Sequence, residues 1–412
     1  MKPIASLLLL AVALGPLAAV AQTPTPTPNP PRAMPMPAAP QLGATSYILQ
    51  DFDSGQVLVE SNADQRVEPA SITKMMTTYV AFKELASGNL TLDETVPISE
   101  RAWRTEGSRM FVDPSMQVSV RDLLMGVIVQ SGNDASVALA EHLAGSEEAF
   151  AGVMNHYAEQ LGMDNTHFTN ATGLPDPELY TTARDIATLS IATIREFPDY
   201  YAWYSEKEFT FNDIRQHNRN TLLWRDPAVD GLKTGHTESA GYCLAASAKR
   251  DGQRLVSVVM GASSENARAA DTQTLMNYGF RFFATVKIYE AGQELARARV
   301  WKGLDEEIAV GLAEPLLVTI PRGRYEDLEA TMDIRPSLTA PLAQGDVVGQ
   351  VHIALDDDMV TERDLVALGA LEEAGFLGRS WDGFKLWMGG LFGDDEEEAD
   401  VADDESESDE AE

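Results

Sequence analysis

The chain has a single cysteine, Cys243, among 412 residues. One thiol cannot close an intramolecular disulfide, so packing alone must hold the fold together. Its setting, AGYCLAAS, reads as a buried strand, and the thiol as an inert packed side chain. The six histidines include no HExxH pattern and have no cysteine set beside them, so neither a metal nor a cofactor is expected. Basic residues are also few. Lysine plus arginine is 31 against 64 acidic residues, a net charge of −33, which argues against nucleic acid as a partner. The excess is concentrated at one end, since residues 394–412 hold thirteen acidic residues and no basic one. That stretch reads as a disordered, solvated tail. No internal repeat is present.

The apolar fraction of 44% is ordinary for a globular protein, and the length suggests two domains with appendages. Lys2 and the run IASLLLLAVALGPLAAVA end in Ala19-Val20-Ala21, a small-residue cleavage pattern. Residues 1–21 are therefore expected to be a secretory signal, with an uncleaved membrane anchor as the alternative. Either way the bulk of the protein leaves the cytoplasm. Residues 22–43 form a proline-rich linker that alternates proline with small residues.

From residue 44 the patterning becomes that of a folded domain. TSYILQD and QVLVES alternate around a Gly turn. Helical periodicity follows at about 71–87, 120–129, 133–144, 146–161 and 181–195. DGLKTGHT, GYCLAASAKR and QRLVSVVMGA read as strands, the last two joined by an Asp251-Gly252 turn, and a helix over about 264–283 closes the unit. Hairpin strands separated by a helical insert predict an α+β domain over 44–284, an antiparallel sheet packed on helices. Residues 285–371 carry short strand-like runs between Gly, Pro and Asp turns and predict a small all-β domain.

Residues 372–393 end the patterned region. Within 375–392, Phe376, Leu377, Trp381, Phe384, Trp387, Met388, Leu391 and Phe392 fall within an arc of about 160° at 100° per residue. The segment is too short and too polar to span a bilayer. It fits an amphipathic helix lying in a membrane interface, the alternative being a helix docked on its own domain.

Ser71 and Lys74, in PASITKMM, stand at the mouth of a helix. Three residues apart they share one helix face, with Cβ atoms about 5–6 Å apart. Helix capping is the bland reading. A capping box wants Glu or Gln where this chain has Lys74, and a cation in the first turn opposes the helix dipole. The alternative is a nucleophile with its base, because the positive field that opposes an ammonium favours a neutral amine. Ser131-Gly132-Asn133 follows the apolar run DLLMGVIVQ, and Lys233-Thr234-Gly235 lies on an expected strand. Alone, the first could be a helix-capping turn and the second a strand end. All three, in this order in an exported chain, make a much stronger signal.

The set SITK, SGN and KTGHT resembles the penicillin-binding proteins and serine β-lactamases. VIVQSGNDASVALAEHLAGS, LGMDNTHFTNATGL, HNRNTLLW and VDGLKTGHTESAGYCLAASA are similar to the low-molecular-mass serine D-alanyl-D-alanine carboxypeptidases, over residues 44 to about 370. The resemblance implies a β-lactamase/transpeptidase-like domain, followed by the small β-domain and an anchor helix. It implies Ser71 as nucleophile, Lys74 as its base and Ser131 as the proton relay to the leaving amine. Asn133 would hold the substrate amide. Lys233, Thr234 and Gly235 would line the carboxylate end, and the N–H groups of Ser71 and His236 would form the oxyanion hole. Arg219 and Arg268 are further candidates for the carboxylate, with a surface salt bridge as the competing reading of both.

The partners implied are peptidoglycan stem peptides, β-lactams as covalent inhibitors and a membrane surface. The location implied is the periplasmic face of the inner membrane. Three other functions remain in view at this point: a β-lactamase, a non-catalytic wall-binding protein and an endopeptidase. The first typically needs a Glu-x-x-Leu-Asn motif between Ser131 and Lys233, which this chain lacks.

Overall fold

The computed structural model describes residues 36–375. The signal, most of the proline-rich linker, the amphipathic segment beyond 375 and the acidic tail lie outside the described residues. The last linker residues lie against the folded unit, where Tyr278 and Tyr47 donate their hydroxyls to the carbonyls of Pro37 and Pro40.

The N-terminal part is built on five antiparallel strands: β1 (Ser46–Asp51), β2 (Val57–Ser61), β3 (Val229–Thr237), β4 (Gly241–Arg250) and β5 (Gln253–Ala262). Their order is β2-β1-β5-β4-β3, which leaves β3, the strand carrying Lys233-Thr234-Gly235, at an edge. Because side chains alternate across a strand, both faces are read directly from the sequence. Leu244, Ala246, Leu255 and Val259 face one core, whereas Cys243, Ala245, Val256 and Val258 face the other. A sheet covered on both sides needs apolar residues at every position, which is why these strands read as unbroken hydrophobic runs. Cys243 is fully buried and burial raises its thiol pKa to about 11, so it stays protonated and unreactive at neutral pH.

Six helices cover the faces: α1 (Lys74–Ser87), α2 (Val120–Met125), α3 (Asn133–Ala144), α4 (Glu147–Gln160), α5 (Ala183–Glu196) and α6 (Glu265–Phe282). Every residue of α1 from Lys74 to Phe82 is buried, so this helix runs through the larger core instead of along its surface. Ser119, Ser146, Thr182 and Ser264 accept the N-terminal amides of α2, α4, α5 and α6, as N-caps do. Ser71 and Ser131 do not, which removes the capping reading of both.

The C-terminal part is all β: β6 (Phe283–Tyr289), β7 (Ala296–Trp301), β8 (Glu307–Gly311), β9 (Leu316–Pro321), β10 (Leu328–Ile334), β11 (Leu338–Thr339), β12 (Val347–Leu355) and β13 (Asp358–Ala367). A six-stranded sheet ordered β10-β12-β13-β8-β7-β11 accompanies the pair β6-β9. Val300, Val310, Val318, Val348 and Val351 are among the residues of its separate core. Among the described residues no helix is long and apolar enough to cross a membrane.

The two parts meet at a buried polar knot. Asp51, fully buried, accepts from the Thr285 hydroxyl at 2.5 Å, from the Ser54 amide at 2.9 Å and from the Gln253 amide at 3.3 Å. Thr319 of β9 bonds to both Ser54 (2.7 Å) and Thr285 (3.0 Å). Removing one member strands its buried partners, at about 1–3 kcal/mol for each group left unpaired. Asp51→Ala is therefore expected to lower stability by about 3 kcal/mol, read as a shift of the urea unfolding midpoint.

Candidate active site

The site is assembled from four pieces of chain around Ser71. Residues Ala70–Thr73 form a 3₁₀ turn that runs into α1 and brings Ser71 beside Lys74. Lys74 is fully buried, and its Nζ makes three contacts: the Ser71 hydroxyl at 3.1 Å, the side-chain oxygen of Asn133 at 2.6 Å and the carbonyl of Thr172 at 2.5 Å. The orientation of the Asn133 amide is fixed independently, since its Nδ2 donates to the Glu106 carbonyl at 2.6 Å. Two of the three neighbours of Nζ can therefore only accept. A neutral amine has two hydrogens and one lone pair. With both hydrogens on the carbonyls, the lone pair faces Ser71, whose hydroxyl then donates. That is the arrangement of a base waiting for a proton.

The electrostatics favour the same state. Burial lowers the Lys74 pKa to about 7, and Arg219 pushes the same way, against the partial opposition of Asp134 and Glu147. Lys233 is likewise driven well below the usual lysine range, first by burial, then by Lys74, Arg219 and Arg268. Its Nζ donates to the Ser131 hydroxyl at 2.8 Å and to the Thr234 carbonyl at 2.9 Å. Two buried amines in one cavity titrate as a pair, each opposing the charge of the other. Lys74 is the one with its hydrogens committed to carbonyls, and so the one fitted to be neutral.

Ser131 owes its position to an irregular turn. After α2 the chain makes a π turn over Gly126–Gln130, where the sequence reads as ordinary helix, and Ser131 follows at φ 65°, ψ 36°. A left-handed serine is uncommon, and π turns concentrate at functional sites. Here the turn aims the hydroxyl at Lys233 and starts α3 so that Asn133 faces Lys74.

Several supporting residues are not signalled by the three short motifs. Asp134, fully buried, accepts the amides of Met110, Phe111 and Val112 at 3.0, 2.8 and 3.2 Å, fixing the loop whose Ser108 carbonyl receives the Asn133 amide. Asn170 accepts from the amides of Thr172 (3.1 Å) and Gly173 (2.7 Å), and Glu147 from Ala171 (3.1 Å), which holds the Thr172 carbonyl over Lys74. NATGL, at 170–174, is the sequence trace of this device.

A cleft of about 220 Å³ lies over the site, lined by Ser71, Ser131, Thr234, Gly235, His236 and Arg219, with Ser108, Tyr242, Glu265 and Arg268 completing it. Asn133, Lys74 and Lys233 lie beneath it through their bonds to Ser71 and Ser131. Every residue proposed from the sequence is thus brought to one place. Arg219 is exposed. Arg268 is buried, 3.4 Å from the carbonyls of Gly235 and Arg219, and forms a long ion pair, also 3.4 Å, with the half-exposed Glu265 three residues before it. Burial lowers its pKa, though arginine remains charged.

A half-buried serine beside an uncharged amine, faced by a second Ser–Lys pair on the edge of an antiparallel sheet, defines a serine acyl-transfer enzyme. Comparison with known proteins narrows the class. The D-alanyl-D-alanine carboxypeptidase profile matches residues 33–264, and the profile of the penicillin-binding protein 5 C-terminal domain matches 283–373. The chain belongs to the D-alanyl-D-alanine carboxypeptidase family. It is 45% identical to D-alanyl-D-alanine carboxypeptidase DacC of Escherichia coli over 366 residues, 86% of this chain and 92% of that protein. Its fold matches penicillin-binding protein 5 of Haemophilus influenzae at 44% identity and TM-score 0.79, covering 82% of this chain and 99% of that one. Penicillin-binding protein D2 of Listeria monocytogenes, solved in its ampicillin-bound form, is 31% identical with TM-score 0.55, covering 60% of this chain and 100% of that one.

If Lys74 must be unprotonated to take the Ser71 proton, the rate of β-lactam acylation rises with pH through about 7 and levels off above it. Below the midpoint it falls about tenfold per pH unit. Stopped-flow acylation from pH 5.5 to 9 measures this directly.

Proposed function

We propose that this protein is a serine D-alanyl-D-alanine carboxypeptidase that removes the terminal D-alanine from peptidoglycan stem pentapeptides through an acyl-enzyme on Ser71. The observation that carries the reading is the Lys74 amine, with two carbonyls holding its hydrogens and its third contact on the Ser71 hydroxyl.

The steps follow from the groups present. The terminal carboxylate of the substrate settles against Thr234, Lys233, Arg219 and Arg268. Burial and then the cations Lys74, Arg219 and Arg268 depress Lys233, and the negative charge of the substrate offsets the second of these, so Lys233 binds a proton more readily once substrate is in place. Ser71 attacks the carbonyl between the two D-alanines as its proton passes to Lys74. The oxyanion forms against the N–H groups of Ser71 and His236, where preorganised donors are typically worth about 10²–10³ in rate. The proton that Lys74 took from Ser71 is relayed to Ser131, which, bonded to Lys233, gives one up to the departing D-alanine nitrogen, so Lys74 is neutral again, while Asn133 orients the acyl-side amide. Water then cleaves the ester, with Lys74 again serving as base, and Ser71 recovers its proton.

The same ester forms with a β-lactam, whose ring amine cannot diffuse away. Glu265 is the one carboxylate lining the cleft among the described residues, and it is paired with Arg268. Among the described residues no second base lines the cleft for a deacylating water, which supports a long-lived adduct over β-lactamase turnover. Mass spectrometry after penicillin exposure is expected to find one adduct, on the peptide containing Ser71. Ser71→Ala is expected to lose both the adduct and D-alanine release from a muramyl pentapeptide, and unchanged release by that variant would sink the reading.

The leader and the amphipathic segment support an exported enzyme held peripherally on the periplasmic face of the inner membrane. With only Arg379 and Lys385 as cations in that segment, apolar burial supplies the attachment. Trp387→Glu is expected to move the protein from the membrane pellet to the supernatant, and continued sedimentation would count against the interfacial helix.

A further inference from the structure

The end of the cleft that receives a carboxylate contains one of its own. Glu265 lines the cleft together with Thr234, Arg219 and Arg268, the groups placed to meet the negative end of a substrate. It is the first residue of α6, and its Oε1 lies 3.4 Å from Nη2 of Arg268, one turn along the same helix. The pairing is lopsided. The Arg268 side chain is 7% exposed, whereas that of Glu265 is 52% exposed. A buried guanidinium without a negative partner is costly, so Arg268 gains from the contact. Glu265, half in water already, loses little by giving it up.

Arg268 is also short of good bonds. A guanidinium has five N–H donors, and ordinary N–H···O bonds measure about 2.7–3.2 Å. Those of Arg268 to the carbonyls of Gly235 and Arg219 are both 3.4 Å, as long as the one to Glu265. Its remaining neighbour is the Tyr242 ring at 5.7 Å, which packs on His236 with ring centroids 4.0 Å apart. Among the described residues Glu265 is the one ion-pair partner of Arg268. The start of α6 does not depend on Glu265, because Ser264 caps the helix by accepting the Ala267 amide at 3.1 Å. A ligand carboxylate brings the same charge and is free to approach in the bidentate geometry a guanidinium favours, so it can take the place of Glu265.

We propose that Glu265 is a positioning residue that acts through Arg268: it occupies the guanidinium before a ligand arrives, and the ligand's terminal carboxylate must displace it to bind. The cleft therefore grips carboxylate-ended ligands less tightly than its cations alone would, and Glu265 sets that grip. The inference rests on Ser71 as the nucleophile and on the Thr234 side of the cleft as the carboxylate end.

The test measures acylation of Ser71 in the full chain by benzylpenicillin, which carries a free carboxylate, and by its methyl ester, which does not. Glu265→Gln keeps the shape of the side chain and removes its charge. It is expected to raise the second-order acylation rate with the acid by roughly two- to fivefold, the range of a half-exposed ion pair. The rate with the ester should move far less, whereas damage to the start of α6 would slow both. Arg268→Ala should slow the acid more than the ester, and adding Glu265→Gln to it should bring no gain. An acid rate that is unchanged or lower in Glu265→Gln overturns the inference. An equal gain with the ester also overturns it, as does a gain that persists without Arg268, because Glu265 would then act as bulk charge. Each of those results leaves Ser71 standing as the nucleophile. Failure of both penicillins to acylate Ser71 in the wild type overturns that reading, and the role of Glu265 with it.

Discussion

A primary amine buried without a carboxylate in contact is the constraint around which this molecule is arranged. Burying an ammonium is costly unless it is paired, and the Lys74 nitrogen touches two carbonyl oxygens and a hydroxyl instead. The neutral amine is the cheaper species there, and its geometry leaves one direction for the lone pair. Asp134 and Glu147 lie close enough to moderate the effect, which keeps the amine titratable near neutrality instead of permanently uncharged. The catalytic state is thus an equilibrium property of the resting fold, present before any substrate arrives.

Much of the surrounding structure serves to hold those two carbonyls still. Thr172 is fixed through Asn170 and Glu147, and Asn133 through Glu106, Ser108 and the π turn ahead of it. Asp134 adds a tie between the loop at 110–112 and the start of α3. Each of these ties runs from a polar side chain to backbone or from backbone to backbone, so the site is positioned largely by main chain, which cannot change rotamer. The sheet contributes its edge strand, and a free edge is what allows a peptide to lie alongside Thr234 and Gly235.

The sheet was legible because its strands are buried on both sides and announce themselves as continuous apolar runs. The long helices were legible through their periodicity, and the serine–lysine pairs through motifs whose residue types have few other uses in combination. The π turn at 126–130 was not, since GVIVQ has the apolar composition of a buried helix and nothing in it marks the wider turn. Asp134 directly follows the Ser131–Asn133 segment that reads as a capping turn, and a buried carboxylate there looks like a helix-capping one in sequence. Arg268 carried no local signal for its burial. That comes from the tertiary placement of α6 against the edge strand. Thr172 acts through its carbonyl, which every residue has, so no side-chain pattern could point to it.

Two glycines press directly on the turn that carries Ser71. A Cβ on Gly173 would stand 1.8 Å from the Ala70 carbonyl, and one on Gly235 would stand 2.9 Å from that of Pro69. Gly173 also has φ 77°, a conformation other residues adopt only under strain. The turn that carries the reactive serine is thus met by glycine backbone at two points, and any larger residue at either would push on the Ala70 or Pro69 carbonyl. An organism under antibiotic selection has little room to redraw these contacts while keeping the enzyme alive. Heritable escape from the drug is steered outward, to the rim of the cleft or to another protein altogether.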